Sequence, residues 1–264
     1  MKFTLTRLAA SLALLATTAS FAQTKAPEPD YTLGYSVGAV TDYRVRGISQ
    51  TSFKPALQLG VDFAHKSGFY LGAFGSNVDW VKQFNGATKG SYEIDVYGGF
   101  KGNITSDIGF DAGLITYTYP GNNSGKTGTP GAGLYSNANT TEAYLGLSYN
   151  IVTLKYSRSL GDFLGNLNSS GSQYLDLSAN YDAGNGFTIT PHLGRQLVAG
   201  PVVAGAGNYT DYSLTVAKDF GDGLTGTAAL IGTNTKKGPG TFYRDFNGKD
   251  LGKSTLVVGV KYSF

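Results

Sequence analysis

The sequence predicts an all-β protein, a transmembrane antiparallel barrel of about twelve strands. Three observations carry that prediction: composition, alternation of apolar residues, and the sorting of connections by length. Glycine supplies 38 of 264 residues, about 14%, roughly twice its usual share. Aromatics reach 13%, with 18 Tyr and 15 Phe, while charged residues are 15%. Glycine costs about 1 kcal/mol per helix-interior site, and Tyr, Thr and Val favour strands, so a helical protein is excluded. The glycines lack the three-residue period of collagen. The aromatic content is too high for a disordered low-complexity chain.

The chain opens with the layout of a secretory signal peptide. Lys2 and Arg7 precede an apolar run from Leu8 to Ala16, and Ser20 and Ala22 stand three and one places before Gln23. Cleavage after Ala22 is expected, leaving a mature domain over 23–264. The formal charge then falls from +3 to +1, which gives no electrostatic reason to expect nucleic acid. The chain has no Cys, so it is built without disulfides.

Period-two alternation can be followed along twelve segments. Tyr31, Leu33, Tyr35, Val37 and Ala39 form the first apolar face; Leu57, Leu59, Val61 and Phe63 form the second. Phe69, Leu71 and Ala73 make a weaker third, followed by Tyr92, Ile94, Val96 and Phe100, then Ile108, Phe110, Ala112 and Leu114. Segments 143–149 and 152–156 reverse around Asn150. Leu175 to Tyr181, Phe187 to Leu193, Tyr212 to Val216 and Leu224 to Leu230 continue the pattern, and Leu256, Val258, Val260, Tyr262 and Phe264 end it. Each segment has polar residues or glycine on the other parity. That is the signature of strands with lipid on one side and a lumen on the other.

Connections alternate in length. Long ones cover roughly 43–54, 77–90, 120–139, 159–172, 195–208 and 234–252; tight ones fall near 64–68, 101–106, 149–151, 182–186 and 219–223. Both termini share the end with the tight turns, as expected for short periplasmic turns and long outer loops. On the apolar parity beside those turns stand Phe63, Phe69, Phe100, Tyr149, Tyr181, Phe187, Phe220 and Phe264, the placement of an interfacial aromatic girdle. Tyr262 and Phe264 end the last strand on the outward face, and we read them as a signal for the outer-membrane assembly machinery. Localisation in the bacterial outer membrane follows, with the lipid bilayer as a partner.

Thr41-Asp42-Tyr43-Arg44-Val45-Arg46-Gly47-Ile48-Ser49-Gln50-Thr51, followed by Lys54-Pro55-Ala56-Leu57-Gln58, resembles the opening of the TorF family of proteobacterial porins. Ser76-Asn77-Val78-Asp79-Trp80, Glu93-Ile94-Asp95-Val96-Tyr97-Gly98-Gly99-Phe100 and Tyr119-Pro120-Gly121 are similar to later landmarks of that family. The resemblance implies an outer-membrane pore and no particular substrate.

If apolar parity faces lipid, the opposite parity lines a lumen. Pore-lining candidates on it are Arg44, Arg46, Asp62, Glu93, Asp95, Asp111, Glu142, Lys155, Asp176, Asp211 and Lys261, with Asp42 beside them. A midplane Arg or Lys facing lipid would cost about 2–4 kcal/mol, whereas a watered lumen removes that penalty. Arg44, Arg46 and Lys261 are expected to become neighbours when the first and last strands meet. Their opposition to an acidic wall would orient a small zwitterionic or polar solute, or else form salt bridges that stiffen or plug the barrel. Twelve strands about 4.8 Å apart and tilted about 40° give a backbone radius of roughly 12 Å, and side chains narrow the bore to about 10 Å or less. Lumen glycines Gly34, Gly60, Gly109, Gly113, Gly146 and Gly259 are expected to leave space there. The acidic excess predicts mild cation selectivity.

The expected function is therefore passive diffusion of small polar or charged solutes. The alternatives are an esterase- or lipase-type barrel enzyme and a non-conducting structural or adhesive barrel. An enzyme would need a Ser coupled to His192, and no motif couples one. His65 falls in a periplasmic turn. Gly121–Thr127 departs from phosphate-loop spacing and lacks a following helix, so it reads as an outer loop. Asp245–Asp250 departs from a calcium loop at Lys249 and Leu256. We expect no cofactor and no metal.

Overall fold

A computed structural model describes residues 29–200 and 205–264; the signal peptide expected over 1–22 lies outside the described residues. Twelve barrel strands follow one another: β1 Tyr31–Val40, β2 Ala56–His65, β3 Phe69–Asn77, β4 Tyr92–Asn103, β5 Ile108–Thr118 and β6 Thr140–Tyr149. Then come β7 Val152–Ser159, β8 Gln173–Ala179 continued by Tyr181–Gly184, β9 Phe187–Leu197, β10 Tyr209–Gly221, β11 Leu224–Thr233 and β12 Thr255–Ser263. Each pairs antiparallel with its sequence neighbours, and β12 closes on β1 with Gly38 opposite Lys261 and Val37 opposite Tyr262. Closure leaves no edge strand, which lipid would not tolerate. No described helix is long and apolar enough to cross a membrane.

Side-chain exposure follows the alternation read from the sequence. In β4, Tyr92, Ile94 and Val96 are exposed while Glu93 and Asp95 are buried; in β7, Val152, Leu154 and Tyr156 are exposed while Thr153 and Ser157 are buried. The apolar faces thus point away from the protein, and an apolar solvent is what stabilises them. At the tight-turn end, Tyr31 stacks on Phe63 at 5.7 Å, and Tyr35 on Phe264 at 5.8 Å. The turns have the local chemistry they need. Asp222-Gly223 joins β10 to β11 with both residues left-handed (φ 50° and 82°), the type I′ geometry that suits a two-residue hairpin.

At four inward glycines, Gly72, Gly99, Gly113 and Gly194, a tyrosine ring from a neighbouring strand covers the position. A Cβ at Gly113 would meet the Tyr144 hydroxyl at 2.5 Å and would collide with the Gly98 carbonyl; one at Gly99 would meet the Tyr70 hydroxyl at 2.7 Å. Gly72 lies under Tyr97 and Gly194 under Tyr174 in the same way. The space expected at Gly113 is therefore taken by a tyrosine. At Gly146, by contrast, the nearest atoms stand 3.7 Å or more from a built Cβ.

At the other end, the long loops pack on one another. Val78, Trp80, Val81, Phe84, Tyr119, Tyr209 and Leu251 form a buried cluster, with the one-turn helix Trp80–Gln83 at its centre. Trp80 meets Tyr119 edge-on at 5.0 Å, and Phe84 packs on Phe242 at 5.5 Å. This is the conventional hydrophobic core of the molecule: the barrel wall turns its apolar side chains outward, so the loops that meet water make a core of their own.

Candidate functional site

The first long connection holds a hairpin of its own, Arg44–Val45 paired with Ile48–Ser49. Arg46 (φ 49°) and Gly47 (φ 76°) form its turn, and both lie in the left-handed region. At its base Asp42 accepts hydrogen bonds from Ser49 Oγ at 2.6 Å and Thr51 Oγ1 at 3.2 Å, and pairs with Arg44 Nε at 2.7 Å. Arg44 also donates to the Leu251 and Lys253 carbonyls of the last loop.

The tip of this hairpin crosses to the far wall. Arg46 forms an ion pair with Glu142 of β6 at 2.5 Å and donates to Gln196 of β9 at 2.8 Å. Its guanidinium lies 4.3 Å from the ring centroid of Tyr174 on β8, and its carbonyl accepts from the Tyr209 hydroxyl of β10 at 2.8 Å. A segment that starts beside β1 and β2 is thus pinned to four strands opposite. The expected cluster of Arg44, Arg46 and Lys261 does not form. The first strand ends at Val40, so both arginines belong to the inner hairpin and not to the wall, while Lys261 sits opposite Gly38 and interacts with Asp62. Asp42 likewise caps the hairpin.

The other candidates occupy inward positions at two levels. Glu93, Asp95, Glu142 and Asp211 lie at the loop end and are buried; Asp62, Asp111, Lys155, Asp176 and Lys261 are half-buried further down. Tyrosines on the same parity tie them together, and residue-by-residue reading of charge overlooks them. Tyr70 donates to Asp111 at 2.5 Å and shares a hydrogen bond with Tyr144, whose ring lies 3.9 Å from Lys155 Nζ. Tyr97 hydrogen-bonds to Asp62. Tyr43 donates to Glu93 at 2.6 Å; burial, with the Glu93 and Asp95 charges adding to it, holds that phenol well above its usual range, so it remains a donor.

His192 has Asp176 at 2.8 Å, Asp211 at 3.5 Å and the Tyr174 hydroxyl at 3.2 Å as its partners. None is a serine, so the pair a hydrolase needs is not assembled at this histidine. His65 ends β2 and contacts Ser67 at 2.8 Å. No cluster of His, Cys, Asp or Glu with metal-binding geometry occurs among the described residues. Asn122, in the loop that follows Gly121, is buried and donates to the Tyr119 carbonyl, which makes that segment part of the loop layer.

Between the inner hairpin and the loop layer lies a cavity of about 60 Å³, lined by Arg46, Glu93 and Glu142 together with Trp80, Tyr119 and Tyr243 among other residues.

A family described as "Bacterial protein of unknown function (Gcw_chp)" matches residues 24–264. The chain belongs to this family. The match spans the barrel, and the family carries the Gcw_chp description, not the TorF name that the opening motif suggested. No curated protein matches the chain by sequence. Among solved structures it is similar to the KdgM porin in complex with disordered oligogalacturonate, with a TM-score of 0.52 and 12% identity over 88% of this chain and 98% of that one. It is similar also to the NanC porin, with a TM-score of 0.52 and 10% identity over 88% of this chain and 99% of that one. At these identities the likeness is one of fold: a closed antiparallel barrel of the architecture used by porins.

Proposed function

We propose that the protein is an outer-membrane channel for the passive diffusion of small polar or charged solutes, with the inner hairpin as its constriction. One observation carries this reading. All twelve strands put apolar residues outside, and the inward face is polar and charged along its length. A barrel serving only as a structural element has no need of charge at that depth, and each buried carboxylate carries a desolvation cost. The architecture shared with KdgM and NanC supports the same reading. Asp62, Glu93, Asp95, Asp111, Glu142, Asp176 and Asp211 outnumber Arg46, Lys155 and Lys261 on the inward side. That excess favours cations. The carboxylate and tyrosine partners of His192 speak against the enzymatic reading. Export through the signal peptide and insertion by the assembly machinery, with Tyr262 and Phe264 as the end it reads, complete the proposal.

Reversal potential across a potassium chloride gradient tests it. The refolded protein in a planar bilayer is expected to pass current with cations favoured. Anion preference would overturn the selectivity, and a silent folded barrel would overturn the channel.

A further inference from the structure

We propose that the pocket holding the Arg46 guanidinium is a recognition site for guanidinium-bearing solutes, and that such a solute frees the inner hairpin by taking Arg46's place. The proposed channel supplies the path to the pocket, so this solute class rests on that reading. The turn shows that Arg46 is there for its side chain. In a type I′ turn both central residues are left-handed, and Asn, Asp or Gly suits the first of them. The hairpin carries Arg at that position, with φ 49°, ahead of Gly47. A long side chain keeps such a backbone only where its surroundings hold it.

Those surroundings fit one shape of cation. Glu142 Oε2 accepts from Nη2 at 2.5 Å and Gln196 Oε1 from Nη1 at 2.8 Å, so two acceptors meet two arms of a planar fork. The Gln196 amide is fixed in that orientation, because its Nε2 donates to the Gln173 and Leu197 carbonyls at 3.0 and 3.3 Å. The rings of Tyr174 and Phe163 have their centroids 4.3 and 5.6 Å from the guanidinium carbon. Ser159, opposite Glu142 on β7, is 1% exposed and keeps its hydroxyl without a partner, a further acceptor beside the acid. An ammonium is a point charge that cannot span both acceptors, a metal ion finds too few oxygens, and an anion meets the wrong sign.

The pocket is also placed for exchange. The Arg46 side chain is 11% exposed and that of Glu142 2%, so a solute meets the arginine first. The cavity of about 60 Å³ borders both residues, which gives a displaced side chain room to step aside. A tethered group competes at an effective concentration on the order of millimolar, so exchange needs solute in that range or above.

The folded full-length protein in detergent is titrated calorimetrically with ethylguanidinium chloride, with ethylammonium chloride as the match for charge. Arg46→Ala, its pocket vacated, is expected to bind ethylguanidinium about tenfold more tightly than ethylammonium, and adding Glu142→Gln is expected to abolish that preference. In the unaltered protein, ethylguanidinium is expected to speed subtilisin cleavage within residues 44–51 several-fold, and ethylammonium is not, with a free peptide as the control for the protease. Equal binding of the two cations by Arg46→Ala, or unchanged cleavage of the unaltered hairpin, would overturn the proposal. If the variant fails to fold, the cleavage assay on the unaltered protein decides it. Neither readout involves ion flow, so a silent barrel that still binds ethylguanidinium sinks the channel reading alone.

Discussion

Arg46 concentrates more of the lumen's interactions than any other side chain described above. Four strands hold it through an ion pair, an amide, a ring face and its own carbonyl. Arg46→Ala removes the cation and leaves Glu142, 1% exposed, buried without a partner. Breaking one partner of a buried pair costs about 3–5 kcal/mol locally, so the hairpin tip should detach and single-channel conductance should rise. Arg46→Lys should not restore the closed state, because an ammonium cannot replace the planar guanidinium that reaches Glu142 and Gln196 together. Gly113 gives a second prediction at this scale. Gly113→Val would drive a side chain into Tyr144 and the Gly98 carbonyl. Overpacking of that kind costs about 1–3 kcal/mol, read as a lower midpoint in the temperature at which the folded band on a gel gives way to the unfolded one. An unchanged midpoint would mean that the tyrosine does not occupy this space.

The inner hairpin and the loop layer are elements of different physical origin. Strand pairing and a type I′ turn make the hairpin, and the Asp42 carboxylate fastens its base. Asp42→Ala removes three hydrogen bonds at once, leaves Arg44 without its acid, and should expose residues 44–51 to protease several-fold faster than in the unaltered protein. Cleavage at the same rate would show that the hairpin is held from its tip alone. Much of the barrel was legible in the sequence, down to tight turns at one end, because period-two alternation is a local signal repeated twelve times. The hairpin was not. Arg44 and Arg46 continue the parity of β1, and only the end of pairing at Val40 removes them from the wall. The loop core left a fainter mark: Trp80, Val81 and Phe84 are apolar at helical spacing inside a segment expected to be polar. The lumen tyrosines share parity with the charges, but aromatic residues on that face gave no reason to expect hydrogen bonds to carboxylates such as Asp62 and Asp111.

At the scale of the whole molecule, the chain is built for two solvents and encloses a third environment. Lipid meets the strands' apolar faces, water meets the loop layer, and the charged interior lies between them. In the proposed channel, the inner hairpin is what narrows that interior. The Tyr43 carbonyl accepts from the Gln50 N–H at 2.7 Å, so the ends of the hairpin already touch and residues 44–49 can be replaced by two glycines without stretching the chain. Single-channel recording of the unaltered protein and of this excised form, side by side, tests the central claim most directly. The account predicts small, cation-favouring currents from the unaltered barrel and a conductance several-fold larger from the excised one. Equal conductance in the two forms, or silence in both from barrels shown to be folded, would contradict it.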